Sequence, residues 1–494
     1  MENTAKQYPS SMEKSGGEIV AKRSKSNPSG EDRPSALPDD ALVHILLYLQ
    51  TAAVRNKRAM ASRRARVREP GVPADPTAAA VRTSVLSRRW RRVWTLLLEL
   101  RFDFSPEPHP VASALAAHDA ALRFLHVDAL DAAPESVAAW LPDAASRLSG
   151  RLVFENRAPG TNAVEDDEST FELPCFERAA AVSLDLGFLG LAVPTAGVFA
   201  RLIELCLIRV RIRGPYKLGD AVSSSRCPCL QKLTAYLIKG LSDITIHSES
   251  LRMELKKVCG LKQLTVVVPA LQVLKVLLCF SYGQNQPVAH ISAPLLKSLV
   301  WNDAYDPSSV HLCKMEHLQV LSTSVNPYAH DGYMRNRAFS KILPLFKVIE
   351  RLYLLLCYQQ VQYVCPSDGA CDQPTNWKTE ELALNCLEEV AIVGMEGTDR
   401  EVDVMKRLFS CASATVPIET VAELRLLGWA FILRQWIEIT FNCSVSENKA
   451  RELCQTLSTF CKSETRLKFY RFLKQESGGK RLRGLFASSG SEGR

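Results

Sequence analysis

The 494-residue chain carries 47% hydrophobic and 23% charged side chains and a formal net charge of +8, a balance that can fill sizeable cores and excludes a fibrous or wholly disordered protein. No apolar run follows Met1, and the strongest one, over 266–280, is interrupted by Pro269, Gln272 and Lys275, so neither secretion nor a membrane span is expected. The 15 cysteines then read as reduced thiols of an intracellular chain in the nucleus and/or cytoplasm, most of them small buried hydrophobes such as Cys206 and Cys279.

Residues 1–32 are rich in Ser, Lys, Gly and Glu with almost no large apolar side chains, so they cannot offset the entropy of ordering and are expected to form a disordered tail. The first element follows at once. Pro38 suits the first position of a helix, Asp39 and Asp40 complement its positive end, and Leu42, Ile45, Leu46 and Leu49 recur on one stripe. A second piece runs from Val81 to Leu97. Here Val81 and Val85 lie four apart, Ser87 can cap a new helix, and Trp90, Trp94 and Leu97 continue it. Short helices this rich in leucine and tryptophan carry more apolar surface than they can bury among themselves, which implies a partner.

The strings Leu37-Pro38-Asp39-Asp40 and Arg82-Thr83-Ser84-Val85-Leu86-Ser87-Arg88-Arg89-Trp90 resemble a plant-type F-box. The resemblance implies docking on a Skp-type adaptor, and through it a cullin, with Leu37, Pro38, Leu42, Ile45, Leu46, Leu49, Val85, Leu86, Trp90 and Trp94 as the adaptor-binding residues. The chain departs from that family in one respect. The two pieces are separated by an insert over about 50–79, where the family has a short connection.

The insert holds most of the excess charge. Between Val54 and Ala79 there are seven basic residues and two acidic ones, hence a local +5, so the remainder of the chain is unremarkable. Three readings stand: a solvated loop, an intron retained in the gene model, and a nuclear-import patch made by Lys57, Arg58, Arg63, Arg64 and Arg66. Nucleic-acid binding is disfavoured, because no stacking aromatic is interleaved with the basic residues.

From about Phe176 an imperfect repeat takes over. Leu202 to Leu207, Leu230 to Leu233, Leu251 with Leu255, Leu261 to Val266, Leu271 to Val276 and Leu296 to Leu299 all read Leu-x-x-Leu or Leu-x-x-Leu-x-hydrophobic, recurring after roughly 10 to 30 residues. Weaker instances follow at 318–321, 349–354 and 387–392. Each such strand buries alternate residues only when neighbours stack on it, so a solenoid is expected. The strings Cys227-Pro228-Cys229-Leu230-Gln231-Lys232-Leu233 and Ser292 to Leu299 resemble plant F-box leucine-rich repeats. Residues 387–409 resemble the FBD element of those proteins, reading as a strand, a Gly-rich turn and an amphipathic helix that caps the solenoid. A helix over 450–461 and a final strand over 467–472 complete the pattern.

The expected fold class is therefore α/β: a small helical F-box over 33–104, an irregular leucine-rich-repeat solenoid over 105–375, an FBD-like cap over 376–474 and a disordered tail over 475–494. No nucleophile elbow, phosphate-binding loop or zinc-protease signature occurs, and Cys227-Pro228-Cys229 has the wrong spacing for a zinc ribbon. No cofactor, metal or catalytic residue is expected. The resemblance implies a non-enzymatic substrate receptor of an SCF-type (cullin-RING) ubiquitin ligase whose repeats bind an unknown target protein. The alternative is a nuclear, nucleic-acid-associated scaffold using the basic insert.

Overall fold

The repeating unit is a five-residue strand in which the second and fourth side chains are buried and the other three face outward, as in Ala181–Asp185, Glu204–Ile208, Lys232–Tyr236, Arg252–Lys256 and Val273–Leu277. In this computed structural model the described residues are 37–46, 90–105, 109–157, 170–214, 217–249, 251–280, 288–303, 305–313, 315–325, 342–346, 348–356, 387–411, 436–461, 466–474 and 480–488. Among them, no helix is long and apolar enough to cross a membrane.

Among the described residues, fifteen strands form one sheet in which spatial order follows chain order, from Glu99–Ser105 to Lys480–Ser488. All its pairs are parallel except the last. Between successive strands the chain crosses to the far side, where Thr170–Glu172, Gly190–Ala192 and Arg211–Arg213 form a three-stranded sheet. Asp243–His247, Gln263–Val267, Val288–Ser292 and Val310–Cys313 form a four-stranded one. The core lies between these layers.

Register makes that core continuous. Leu205 stands opposite Leu233, which stands opposite Met253, and the column proceeds through Leu274, Leu299, Leu321, Leu352, Val390, Ile437 and Leu467. A one-residue slip on any strand would turn this column to solvent, so burial itself fixes the register. Each fully buried leucine or valine contributes roughly 1.5–3 kcal/mol, and none obtains it without its neighbouring coils.

The turn that leaves the sheet is also repeated. Arg209, Leu237, Lys257 and Leu278 each follow directly on a strand and have positive φ, which is uncommon for side chains of this kind. The backbone N–H of each donates to the next coil, to Tyr236, Lys256, Leu277 and Asn302 respectively. These bonds hold the chain in a conformation that isolated residues disfavour.

The strands Glu389–Met395, Trp436–Phe441 and Arg466–Lys474 extend the same parallel sheet, so the FBD-like region is a continuation of the solenoid. Two amphipathic helices accompany it, Asp399–Cys411 with Met405, Leu408 and Phe409 buried, and Glu447–Ser458 with Ala450, Leu453, Cys454 and Leu457 buried. Two expectations are corrected. Residues 480–488, expected in a disordered tail, form a strand antiparallel to Arg466–Lys474, in which Leu482 and Phe486 stand in register with Phe472 and Phe469. The sheet also begins at Glu99, well before the Leu-x-x-Leu pattern becomes regular. The expected tail over 1–32 lies outside the described residues.

Candidate functional site

Two surfaces are candidates: the amino-terminal helices and the open face of the long sheet. In the first, residues 39–46 are helical, opened by the Leu42 N–H donating to the Pro38 carbonyl at 3.2 Å. One stripe of this helix is spent inside the molecule. Leu42 and Leu46 are wholly buried in the cluster that also holds Val93, Trp94, Leu97 and Leu100. Other apolar side chains here stay open: Ile45 at the border of that stripe is 39% exposed, and just before the helix Leu37 is 37% exposed and Pro38 is exposed. Leu96 and Leu98 are also exposed.

The ten residues expected to bind an adaptor are thus divided. Leu37, Pro38 and Ile45 are on the surface, whereas Leu42, Leu46 and Trp94 are buried within the chain. Trp90 opens the short helix Trp90–Val93. Leu49, Val85 and Leu86 lie outside the described residues, as do Lys57, Arg58, Arg63, Arg64 and Arg66 of the basic insert.

A polar staple that the sequence did not signal holds the end of the second helical piece. His118 is buried, with Nε2 2.8 Å from the Leu97 carbonyl and Nδ1 3.1 Å from the Ala120 carbonyl. Arg147 donates to the carbonyls of Leu115 and His118. Burial pushes the His118 pKa below its ordinary value, and the Arg147 charge acts the same way; the two carbonyls and Asp119 oppose them. The staple ties Leu97, just after the short helix Trp94–Leu96, to the helices His109–Ala116 and Leu141–Arg147.

The open face of the sheet is polar and partly self-neutralised. Glu204 receives Arg151 and Lys232, each at 2.6 Å, Asp185 receives Arg209 at 2.7 Å and Glu254 receives Lys275 at 3.1 Å. Exposed pairs of this kind contribute no more than about 1 kcal/mol each. Lys232, Arg252, Glu254 and Lys275, with Thr234 and Val273, line a shallow depression of about 260 Å³. Among the described residues, no group of three or more His, Cys, Asp or Glu side chains is placed to hold a metal ion.

The cysteines divide similarly. Cys279 is buried and its thiol is pushed up to about 12 by burial and then by the neighbouring Asp303. Cys206, expected inside, is half-buried on the open face, because it occupies the middle, outward position of its strand.

Comparison with known proteins agrees with this geometry. The family described as FBD-associated F-box protein At5g56370, LRR repeats, matches residues 137–323, the stretch in which both layers of the solenoid are regular. Over that stretch the chain is similar to the leucine-rich repeats of plant FBD-associated F-box proteins. It is 27% identical over 250 residues to the putative F-box/FBD/LRR-repeat protein At4g03220 of Arabidopsis thaliana, covering 48% of this chain and 50% of that one. With At3g49030 of the same plant, also described as a putative F-box/FBD/LRR-repeat protein, it is 26% identical over 291 residues, covering 54% and 52%. It is likewise 27% identical over 254 residues to the F-box/FBD/LRR-repeat protein At2g04230, covering 46% and 48%. The chain therefore spans about half the length of the curated relatives it matches. No solved structure matches it.

Proposed function

We propose that the chain is a non-enzymatic substrate receptor of a cullin-RING ubiquitin ligase, docking on a Skp-type adaptor through its amino-terminal helices and presenting the repeat sheet to a target protein. The observation that carries this reading is the division of the first helix. Its Leu42 and Leu46 are buried, while Ile45 at the border of that stripe and Leu37 just before the helix remain exposed apolar side chains, where an apolar partner surface could cover them. In such an assembly the receptor raises the effective concentration of its target near the conjugating enzyme, and no side chain of its own need react.

Ile45→Asp and Leu37→Asp place unpaired carboxylates at these exposed positions without touching the core, and burying either against a partner would cost several kcal/mol. The expected result is loss of co-precipitation with a plant Skp-type adaptor at an unchanged melting temperature. Adaptor capture at the wild-type level by the double variant would overturn the docking proposal.

A further inference from the structure

The charge on the open face is not spread evenly along the solenoid. On the strands Leu148–Arg157, Ala181–Asp185 and Glu204–Ile208, the outward carboxylates Asp185 and Glu204 are engaged by arginine or lysine within 2.7 Å. On Ser298–Asn302 and Val320–Val325 there is no charged residue at all. Between these flanks, Lys232–Tyr236, Arg252–Lys256 and Val273–Leu277 carry four cations, Lys232, Arg252, Lys256 and Lys275, against one carboxylate, Glu254.

That carboxylate is taken by Lys275, and Lys232 is turned toward Glu204. Lys256 lies over the Tyr236 ring at 5.1 Å. The exposed Arg252 guanidinium has no carboxylate partner among the described residues, and it borders the depression described above. Neighbouring strands lie about 4.8 Å apart, so the three strands place their cations within a band on the order of 10 Å wide. That is a footprint for one or two anionic groups of a peptide.

We propose that this three-stranded band binds an acidic segment of the target protein, with Arg252 taking its principal anionic group and Lys232, Lys256 and Lys275 supplying the surrounding positive field. The proposal deepens the receptor reading and rests on it for the identity of the occupant as a protein. A guanidinium presents a planar fork of donors that matches either a carboxylate or a phosphoryl group, so an Asp/Glu-rich segment and a phosphorylated one share the chemistry. A nucleic acid fits less well. Its phosphates continue well past such a band, and the one aromatic ring here already carries a lysine.

The test uses the full chain and fluorescein-labelled peptides: a Glu-Gly repeat, a Ser-Gly repeat with and without serine phosphorylation, and a Lys-Gly repeat, with oligo-dT as the nucleic-acid probe. Anisotropy titrations at low salt should show binding of the glutamate or the phosphoserine peptide, weakened by added salt, and neither of the neutral and basic peptides. Which of the two anionic peptides binds identifies the source of the anion. Arg252→Glu should weaken that binding about tenfold or more. Lys262→Glu, an identical charge change at an exposed position leading into the opposite sheet, should leave it within about twofold.

Equal losses in the two variants, or tighter binding of oligo-dT than of either anionic peptide, would overturn the proposal. Adaptor co-precipitation on the same preparations separates the two ideas. Adaptor captured with no acidic peptide bound removes the acidic-segment reading alone, and acidic peptide bound with no adaptor captured removes the ligase reading alone.

Discussion

Ile45 and Leu46 are sequence neighbours with opposite destinations, and the difference decides how variants at the amino terminus should be read. Leu46 is wholly buried and Ile45 is 39% exposed. Leu46→Asp therefore abolishes adaptor capture by unfolding the helix, with a fall in melting temperature visible by circular dichroism, whereas Ile45→Asp is expected to abolish capture alone. Buried polar groups show the same sensitivity. The Asp303 carboxylate accepts from the backbone N–H groups of Cys279, at 3.1 and 2.9 Å, and Phe280, at 3.3 Å. Asp303→Ala leaves these buried donors unpaired and should cost about 2–3 kcal/mol, read as a lower denaturation midpoint. His118 adds a pH dependence. Its folded pKa lies below the ordinary value, so the unfolded chain binds the proton more readily. Stability is unaffected above the unfolded pKa of about 6.5 and falls as the pH drops below it. His118→Gln should flatten that acid limb of a melting-temperature profile; an unchanged limb would assign the acid sensitivity to other groups.

At the scale of the element, the turn that follows each strand is the most demanding feature. Gly240 has a φ of +83°, and a β-carbon there would collide with the Ile212 carbonyl of the preceding coil. Gly240→Ala combines that collision with a strained φ and is expected to destabilise by roughly 2 kcal/mol or more; a melting temperature within a degree of wild type would refute the close stacking of these coils. The strands themselves were largely legible in the sequence, because Leu-x-x-Leu-x-hydrophobic is the direct trace of burial at alternate positions. Leu202, Leu230, Leu251, Leu271 and Leu296 each stand before a strand of the long sheet and are buried as that pattern requires. What the pattern hides is which layer a strand joins. Leu261 to Val266 has the same spelling as Leu271 to Val276, yet Gln263–Val267 belongs to the opposite sheet, since both layers bury alternate residues toward one shared core. The apparent spacing near 10 residues is thus half of the structural period. Divided helices were less legible still. An i, i+3, i+4, i+7 stripe marks Leu42, Ile45 and Leu46 alike as apolar, and only packing decides that Ile45 stays outside.

For the whole molecule, the continuity of one fifteen-stranded sheet from Glu99 to Ser488 changes what the FBD-like region does. Its strands add further rungs to the same ladder, and Leu467 and Phe469 lie in the same buried columns as Leu205 and Leu207. A parallel ladder of this kind has no intrinsic end, because its last strand always presents unpaired N–H and C=O groups to the next chain. Here the run of parallel pairs is broken by Lys480–Ser488, which returns antiparallel from Lys474 back to Leu467 and sets Lys480, Arg481 and Arg483 opposite Lys474, Leu473 and Arg471. By sequence that last rung is rich in lysine and arginine, residues that disfavour edge-to-edge pairing. Deleting residues 475–494 removes both the pairing strand and its charge, leaving Leu467, Phe469 and Phe472 on a bare edge. The shortened chain should self-associate in a concentration-dependent way, seen as higher-mass species in sedimentation velocity, while retaining its far-ultraviolet spectrum. A shortened chain that remains monomeric across the same concentrations would show that the parallel ladder is closed by something other than this strand.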